Sequence, residues 1–269
     1  METSPAATLP LDENDVDVWL TRLDTLEPHL RARYAQRLSA GEQERWQRFL
    51  AQGAADQYLI GRVLLRTTLS RYAAVAEEAW TFETNAYGCP FVAAPACHRD
   101  LRFNLSHTEG LVACAVTRGG EIGVDVENIQ RVLDPLAIAP AVFAPTEIDD
   151  LAAVPPEERH RRFLAYWTLK EAYIKARGMG VSLPLDGFWF ELDDGAPRLH
   201  FGDQCPDRAE RWHVSRWQPT PNHDLALAIA TPAGRAPRIR LRWILLTPPG
   251  VSATRESGKF RADGPPGSP

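Results

Sequence analysis

Apolar and polar residues alternate in DVDVWL, where Val16, Val18 and Leu20 fall on one side, and this spacing predicts a strand. Ser39 followed three residues later by Glu42 predicts a capping box that opens the helix EQERWQRFL. A second helix is predicted in AADQYLIGRVLLRTTLSRYA, where Tyr58, Val63 and Leu64 fall near helical spacing. From Trp80 to about Ile129 the period shortens, and AWTFETN, LRFNLSH, LVACAVT and EIGVDVENI read as strands. Tyr87-Gly88-Cys89-Pro90 marks a turn, and Gly119-Gly120 predicts a hairpin between the last two strands. Helical spacing returns in PTEIDDL and in the long PEERHRRFLAYWTLKEAYIKARG, which Gly178 should end as a left-handed cap. FWFELDD, PRLHF, RWHVSRW, DLALAIA and RIRLRWILL then read as strands.

This order of a strand, helices and strands, followed by helices and strands again, predicts an α+β protein of two similar halves. The halves are expected at 15–117 and 118–249, with a flexible start over 1–14 and a flexible Gly-, Pro- and Ser-rich tail over 250–269. No sequence repeat links the halves, so the duplication rests on element order alone.

Composition narrows the partners. A chain of 269 residues with 44% hydrophobic and 24% charged residues has the profile of an ordinary soluble protein that can bury a full core. Its formal net charge of −5 provides no broad basic field for nucleic acid or an anionic membrane, so any anion must be bound locally. Cys89, Cys97, Cys114 and Cys205 form no CxxC pair, and free thiols in a reducing compartment are expected. METSPAATLPLDEND lacks the features of a signal peptide, and no window approaches the length of a membrane span; a cytoplasmic location is expected.

Three stretches carry the chemistry. In EIGVDVENI, period-two alternation puts Ile122, Val124 and Val126 on one face and Gly123, Asp125 and Glu127 on the other. The apolar set must face the core, so the two acids project together. At about 6 Å they repel by roughly 3 kcal/mol at an effective dielectric of about 20, and something should compensate. Water at a half-exposed edge is one answer; a hard divalent cation, which prefers carboxylate oxygens, is the other. In YWTLKEAYIK, Glu171 and Lys175 have the spacing of a surface helix pair worth about 0.3–0.5 kcal/mol. However, Phe163, Tyr166, Trp167, Leu169, Tyr173 and Ile174 spread over most of that helix, which makes it a packed one. A charged pair there is costly unless it faces a cleft, with Trp167 and Ile174 fixing the helix behind it. The third stretch, FNLSHTEG, ends an apolar strand in Ser106-His107, whose hydroxyl and ring could donate to a phosphate.

FNLSH, IGVDVE and WTLKEAYIKARGMGVSLPL, in that order, resemble the signature motifs of the Sfp-like 4'-phosphopantetheinyl transferases. The resemblance runs from about Ser39 to about Ala230 and takes in RWQRF and YLIGRVLLR. It implies two similar α+β halves related by a pseudo-twofold axis, with the active site in the cleft between them. It also implies transfer of the phosphopantetheine arm of coenzyme A to a serine of an apo acyl or peptidyl carrier protein, leaving adenosine 3',5'-bisphosphate. Asp125, Glu127 and Glu171 match the acids around a Mg²⁺, which Mn²⁺ could replace, on the coenzyme A pyrophosphate. Lys175 matches a lysine facing that group, and Ser106 and His107 match contacts to the nucleotide phosphates. Glu171 is the expected general base, ahead of Glu127.

The chain departs from the family pattern at Cys89, where a lysine often helps hold the 3'-phosphate, and at Glu42 and Gln57, which replace basic residues. Arg45 matches a third basic position, and Arg45 and Arg62 are the candidates to restore that grip. A monomer is expected, because one chain supplies both sides of the cleft. Two other readings compete: a non-catalytic relative that binds coenzyme A or carrier proteins, and an unrelated metal-dependent phosphohydrolase.

Overall fold

The alternating residues of the first strand divide between two cores. The computed structural model describes residues 8–23, 26–193, 195–231 and 235–246. Strand β1 (Asp15–Arg22) buries Val16, Val18 and Leu20 on one face and Trp19 on the other. Helices α1 (Pro28–Ala35), α2 (Ala40–Gln47) and α3 (Gln52–Leu69) follow, then strands β2 (Thr81–Thr84), β3 (Pro90–Ala94), β4 (Leu101–Thr108) and β5 (Leu111–Arg118). The second run is β6 (Glu121–Asn128), helices α4 (Pro135–Val142), α5 (Pro145–Ala153) and α6 (Pro156–Arg177), then β7 (Phe188–Glu191), β8 (Arg198–Phe201), β9 (Trp212–Thr220) and β10 (His223–Ala230). A last strand, β11 (Arg238–Trp243), closes the described chain.

The two runs match element for element: a strand, three helices, a two-stranded antiparallel pair and two more strands. Their sheets match as well, with orders β1-β5-β4 and β6-β10-β9 and antiparallel neighbours throughout. The long helix α3 packs on the first sheet and α6 on the second. A third core lies between the sheets, where Val16, Val18 and Leu20 meet Ile122, Val124 and Val126. The duplicated α+β architecture read from element order is therefore the architecture of the chain. Local signals hold too: Ser39 and Glu42 form the reciprocal capping box, and Gly178 ends α6 at φ 60°.

Three expectations need correction. Gly119-Gly120 does not make a hairpin, because β5 and β6 lie in different sheets; the two glycines, at φ 67° and 73°, turn the chain from one sheet to the other. β11, expected within the second half, instead pairs in parallel with β1. The reason is charge: β1 buries Asp15 and Asp17, and β11 brings Arg238 and Arg240 to them, at 2.7 Å from Asp15 and 2.5 Å from Asp17 respectively. Residues 8–14, expected to be flexible, are docked, with Leu11 buried and the Leu9 N–H donating to the Arg71 carbonyl. Residues 1–7 and the expected tail 250–269 lie outside the described residues. All four cysteines are free thiols. Among the described residues no helix is long and apolar enough to cross a membrane.

The halves are joined where β4 runs beside β6. The side chains of Asn104, Ser106 and Thr108 accept hydrogen bonds from the N–H groups of Val124, Val126 and Asn128, at 3.0, 3.2 and 3.2 Å. Alternate side chains of one edge strand thus satisfy donors on the other, where an ordinary ladder would use carbonyls.

Candidate active site

The site begins with a missing side chain. A Cβ on Gly123 would lie 2.0 Å from the Ala172 carbonyl oxygen and 2.3 Å from the Ala176 nitrogen. Gly123 and the two alanines therefore let the backbone of α6 settle directly on β6. At that distance Lys175 reaches Asp125 of β6, and Glu171 lines the same cavity. The Lys175 ammonium lies 2.5 Å from Asp125 Oδ1 and donates to Ser106 Oγ at 3.0 Å. Ser106 donates in turn to Asp125 Oδ1 at 2.8 Å.

These residues line a cavity of about 390 Å³ at the seam of the halves, with Ser106 and His107 from β4, Asp125 and Glu127 from β6, and Trp167, Glu171 and Lys175 from α6. Alternation on β6 is as expected: Asp125 and Glu127 share the face opposite Ile122, Val124 and Val126. The acids differ in their partners. Glu127 Oε1 accepts from Trp167 Nε1 at 2.9 Å and from Arg131 at 3.2 Å. Asp125 Oδ2 is buried without a hydrogen-bond partner. Glu171 is half-buried, and no hydrogen bond fixes its carboxylate among the described residues.

Burial raises the pKa of Glu127 above the usual carboxylate range, and the neighbouring Asp125 charge adds to it. Glu171 is raised as well: burial is the largest cause, Lys175 opposes it, and Asp125 and Glu127 reinforce it. His107 is shifted down, first because its ring is partly desolvated and then because the Lys175 ammonium is close, so neutral imidazole is favoured.

Residues 121–230 match the model of the 4'-phosphopantetheinyl transferase superfamily, and residues 27–118 match that of the 4'-phosphopantetheinyl transferase N-terminal region. A 4'-phosphopantetheinyl transferase of Bacillus subtilis is 33% identical over 196 residues, covering 72% of this chain and 83% of the relative. HetI of Nostoc sp., also a 4'-phosphopantetheinyl transferase, is 35% identical over 66% of this chain and 74% of its own. Sfp of Bacillus subtilis strain 168 is 32% identical over 74% and 85%. The chain belongs to the 4'-phosphopantetheinyl transferase family. A solved structure, holo-[acyl-carrier-protein] synthase of Thermotoga maritima, aligns over 41% of this chain and 62% of its own, at 22% identity and a TM-score of 0.34.

Within this transferase the expected grip residues, Arg62 and Arg45, both have partners inside the protein. Arg62 lies 2.5 Å from Glu42 and over the Phe82 ring at 4.7 Å, and Glu42 also holds Arg66 at 2.7 Å. The acid at a position where a base was expected thus compensates the charge of Arg62. Arg45 stacks over Tyr58 at 5.4 Å. Neither arginine is among the residues lining the seam cavity or its neighbour. That neighbouring cavity, about 250 Å³, continues past Lys175 and is lined by Asn85, Cys89, Arg102 and Arg177 among others. Ser106 has both lone pairs and its proton engaged inside the protein, so its hydroxyl holds Lys175 and Asp125 in place.

Some residues around the site escaped the sequence reading. Trp167, expected behind the helix, faces the cavity and holds Glu127. Asp224 is buried on β10 directly across from Glu127, tied to Arg216 at 2.6 Å. The transferase's duplication also does not duplicate its site. Matching the shared core faces aligns Asp125 with Trp19 and Glu127 with Thr21 on β1, and Gly123 with Asp17. The counterpart of the close helix contact is therefore an aspartate bonded to Tyr72 at 2.5 Å and to Arg240.

Proposed function

We propose that this transferase moves the phosphopantetheine arm of coenzyme A onto the serine hydroxyl of an apo acyl or peptidyl carrier protein, with adenosine 3',5'-bisphosphate as the leaving group. The serine oxygen forms a bond to the phosphorus next to the arm as the pyrophosphate P–O bond breaks, and the serine proton passes to Glu171. The observation that carries this reading is the state of Glu171. It faces the cavity with no hydrogen bond of its own, so its carboxylate oxygens are open to accept the serine proton. Glu127 is the weaker candidate for base because Trp167 and Arg131 already hold one of its oxygens.

The donor set fits a hard divalent cation. Asp125 Oδ2 is a buried oxygen without a partner, Glu127 Oε2 and both oxygens of Glu171 carry no hydrogen bond, and carboxylates are the ligands Mg²⁺ prefers. Among the described residues no three His, Cys, Asp or Glu side chains form a ready metal cluster. Mg²⁺ suits such an open arrangement because it uses one or two carboxylates and completes its shell with water and phosphate oxygens. Asp125, Glu127 and Glu171 would hold it. Bound there, it would neutralise phosphate charge, and Mn²⁺ accepts the same ligands.

Lys175 supplies a second cation beside the phosphates once it leaves Asp125, and Ser106 holds it at the cavity wall. His107, neutral and at the cavity edge, is placed to donate one ring N–H to a phosphate oxygen. Because both walls of the cavity come from one chain, a monomer is sufficient for the reaction, and a cytoplasmic location gives it coenzyme A and carrier proteins together.

The test is to incubate the protein with coenzyme A, Mg²⁺ and an apo carrier protein and to weigh the carrier. One added phosphopantetheine is expected with the parent chain, and none with Glu171→Gln of unchanged circular dichroism. A Glu171→Gln chain with normal turnover removes Glu171 as the base. Loss of coenzyme A without carrier modification supports a phosphohydrolase, and binding without either reaction supports a non-catalytic relative.

A further inference from the structure

Lys170 stands next to Glu171 in the sequence but points the other way. It is 1% exposed, and its partner Glu147 is 0% exposed. The Lys170 ammonium bonds Glu147 Oε2 at 2.8 Å and donates to the carbonyls of Leu185 and Phe188 at 2.7 and 2.6 Å, which uses all three of its hydrogens. Glu147 accepts the N–H groups of Ala144 and Phe190, each at 2.9 Å. One buried pair therefore ties α6 to the start of α5, to the turn before β7 and to β7 itself.

Glu171, by contrast, has no hydrogen bond to hold it among the described residues, so its place is set by the backbone of α6. The Gly123 contact sets Ala172 and Ala176 against β6, and on the cavity side of the helix Trp167 and Lys175 bond Glu127 and Asp125. Apolar packing resists rotation weakly, since aromatic and aliphatic side chains can re-seat at similar volume. A fully bonded ammonium with three acceptors in fixed directions does not re-seat. We infer that the Lys170–Glu147 pair is a positioning device that sets the rotation of α6 and so aims Glu171 into the cavity. This rests on the reading of Glu171 as the base.

The test compares the parent with Glu147→Gln/Lys170→Met, which removes both charges together, and with Glu147→Asp/Lys170→Arg, which keeps a buried ion pair. Rates are taken at a temperature where circular dichroism shows each chain folded. The expected result is a fall in kcat of tenfold or more for the neutral pair, with KM for coenzyme A changed by less than about twofold, because misplacement by about 1 Å can cost 10²-fold in rate. The charged pair should recover part of that loss. A folded neutral pair with the parental kcat overturns the inference, as does a fall confined to kcat/KM through KM. If neither double variant folds at any temperature, the pair serves folding alone and the inference also fails. Glu171→Gln is assayed alongside: if it is inactive while the neutral pair is normal, only the positioning role is lost. If Glu171→Gln is itself active, the reading of the base fails first.

Discussion

Gly123→Ala is the sharpest perturbation this architecture allows. The added methyl carbon would meet the Ala172 oxygen at 2.0 Å, the Ala176 nitrogen at 2.3 Å and the Ala176 Cα at 3.0 Å, all of them backbone atoms that no rotamer change can move. Real Cβ atoms essentially never come within 3.0 Å of such atoms, so α6 must retreat from β6 by roughly 1 Å or more. Overpacking of this kind costs about 1–3 kcal/mol, and for a chain of this size each kcal/mol lowers Tm by about 2–4 °C. The catalytic effect should be larger than the effect on stability. Glu171 and Lys175 ride on the displaced helix while Asp125, Glu127 and Ser106 stay on the strands, and a 1 Å misplacement can cost 10²-fold in rate. Carrier-mass kinetics at a temperature where the variant is folded should therefore show kcat reduced by about 100-fold. Gly41→Ala, with nothing within 4 Å of its added carbon, is the control and should leave the rate unchanged. A folded Gly123→Ala chain with the parental rate would refute the claim that the helix contact sets the site.

Other outcomes are expected. Arg62→Gln removes one of the two arginine partners of Glu42 and should lower Tm by roughly 3–12 °C, from about 1.5–3 kcal/mol for a charged hydrogen bond, while KM for coenzyme A stays within about twofold; a tenfold rise in KM would give Arg62 a substrate-binding role. His107 should titrate by NMR below its usual 6.5 in the coenzyme-free protein, because partial desolvation of its ring and the nearby Lys175 ammonium favour the neutral form. A folded pKa below the unfolded one means that this ring contributes full stability above the unfolded pKa and loses it as pH falls through the folded value. Lys175→Met should move that midpoint upward, and an unchanged midpoint would place Lys175 outside its reach. Glu171→Gln should abolish transfer with unchanged circular dichroism.

Much of this was legible in the chain because the signals are local. The alternation of EIGVDVENI places Asp125 and Glu127 on one face whatever the strand packs against, and the Ser39 capping box and the Gly178 cap are written in four or five adjacent residues. Helix α1, with no side-chain cap, and α4, with a proline inside, were not predicted, although Asp134 caps the start of α4 and a proline opens each of them. The order of elements gave away the duplication because each half repeats the same run of strand, helices and strands.

Tertiary structure decided what those residues do, because distance and charge compensation depend on partners far along the chain. Glu171 and Lys175 have the spacing of a surface pair, yet Lys175 is bonded to Asp125, 50 residues away, across a contact that only a glycine permits. Nothing in the spacing of Arg62 and Glu42 pairs them, yet the fold sets them 2.5 Å apart. Alternate arginines in RIRLRW say only that a strand has a charged face; the buried Asp15 and Asp17 of β1 decide that it joins the first sheet. The sequence by itself determined which faces carry carboxylates and ammonium groups, since side-chain periodicity follows from the backbone. Which of those charges face the cavity and which compensate one another was decided only by packing, because a buried charge takes its role from the nearest group that can answer it.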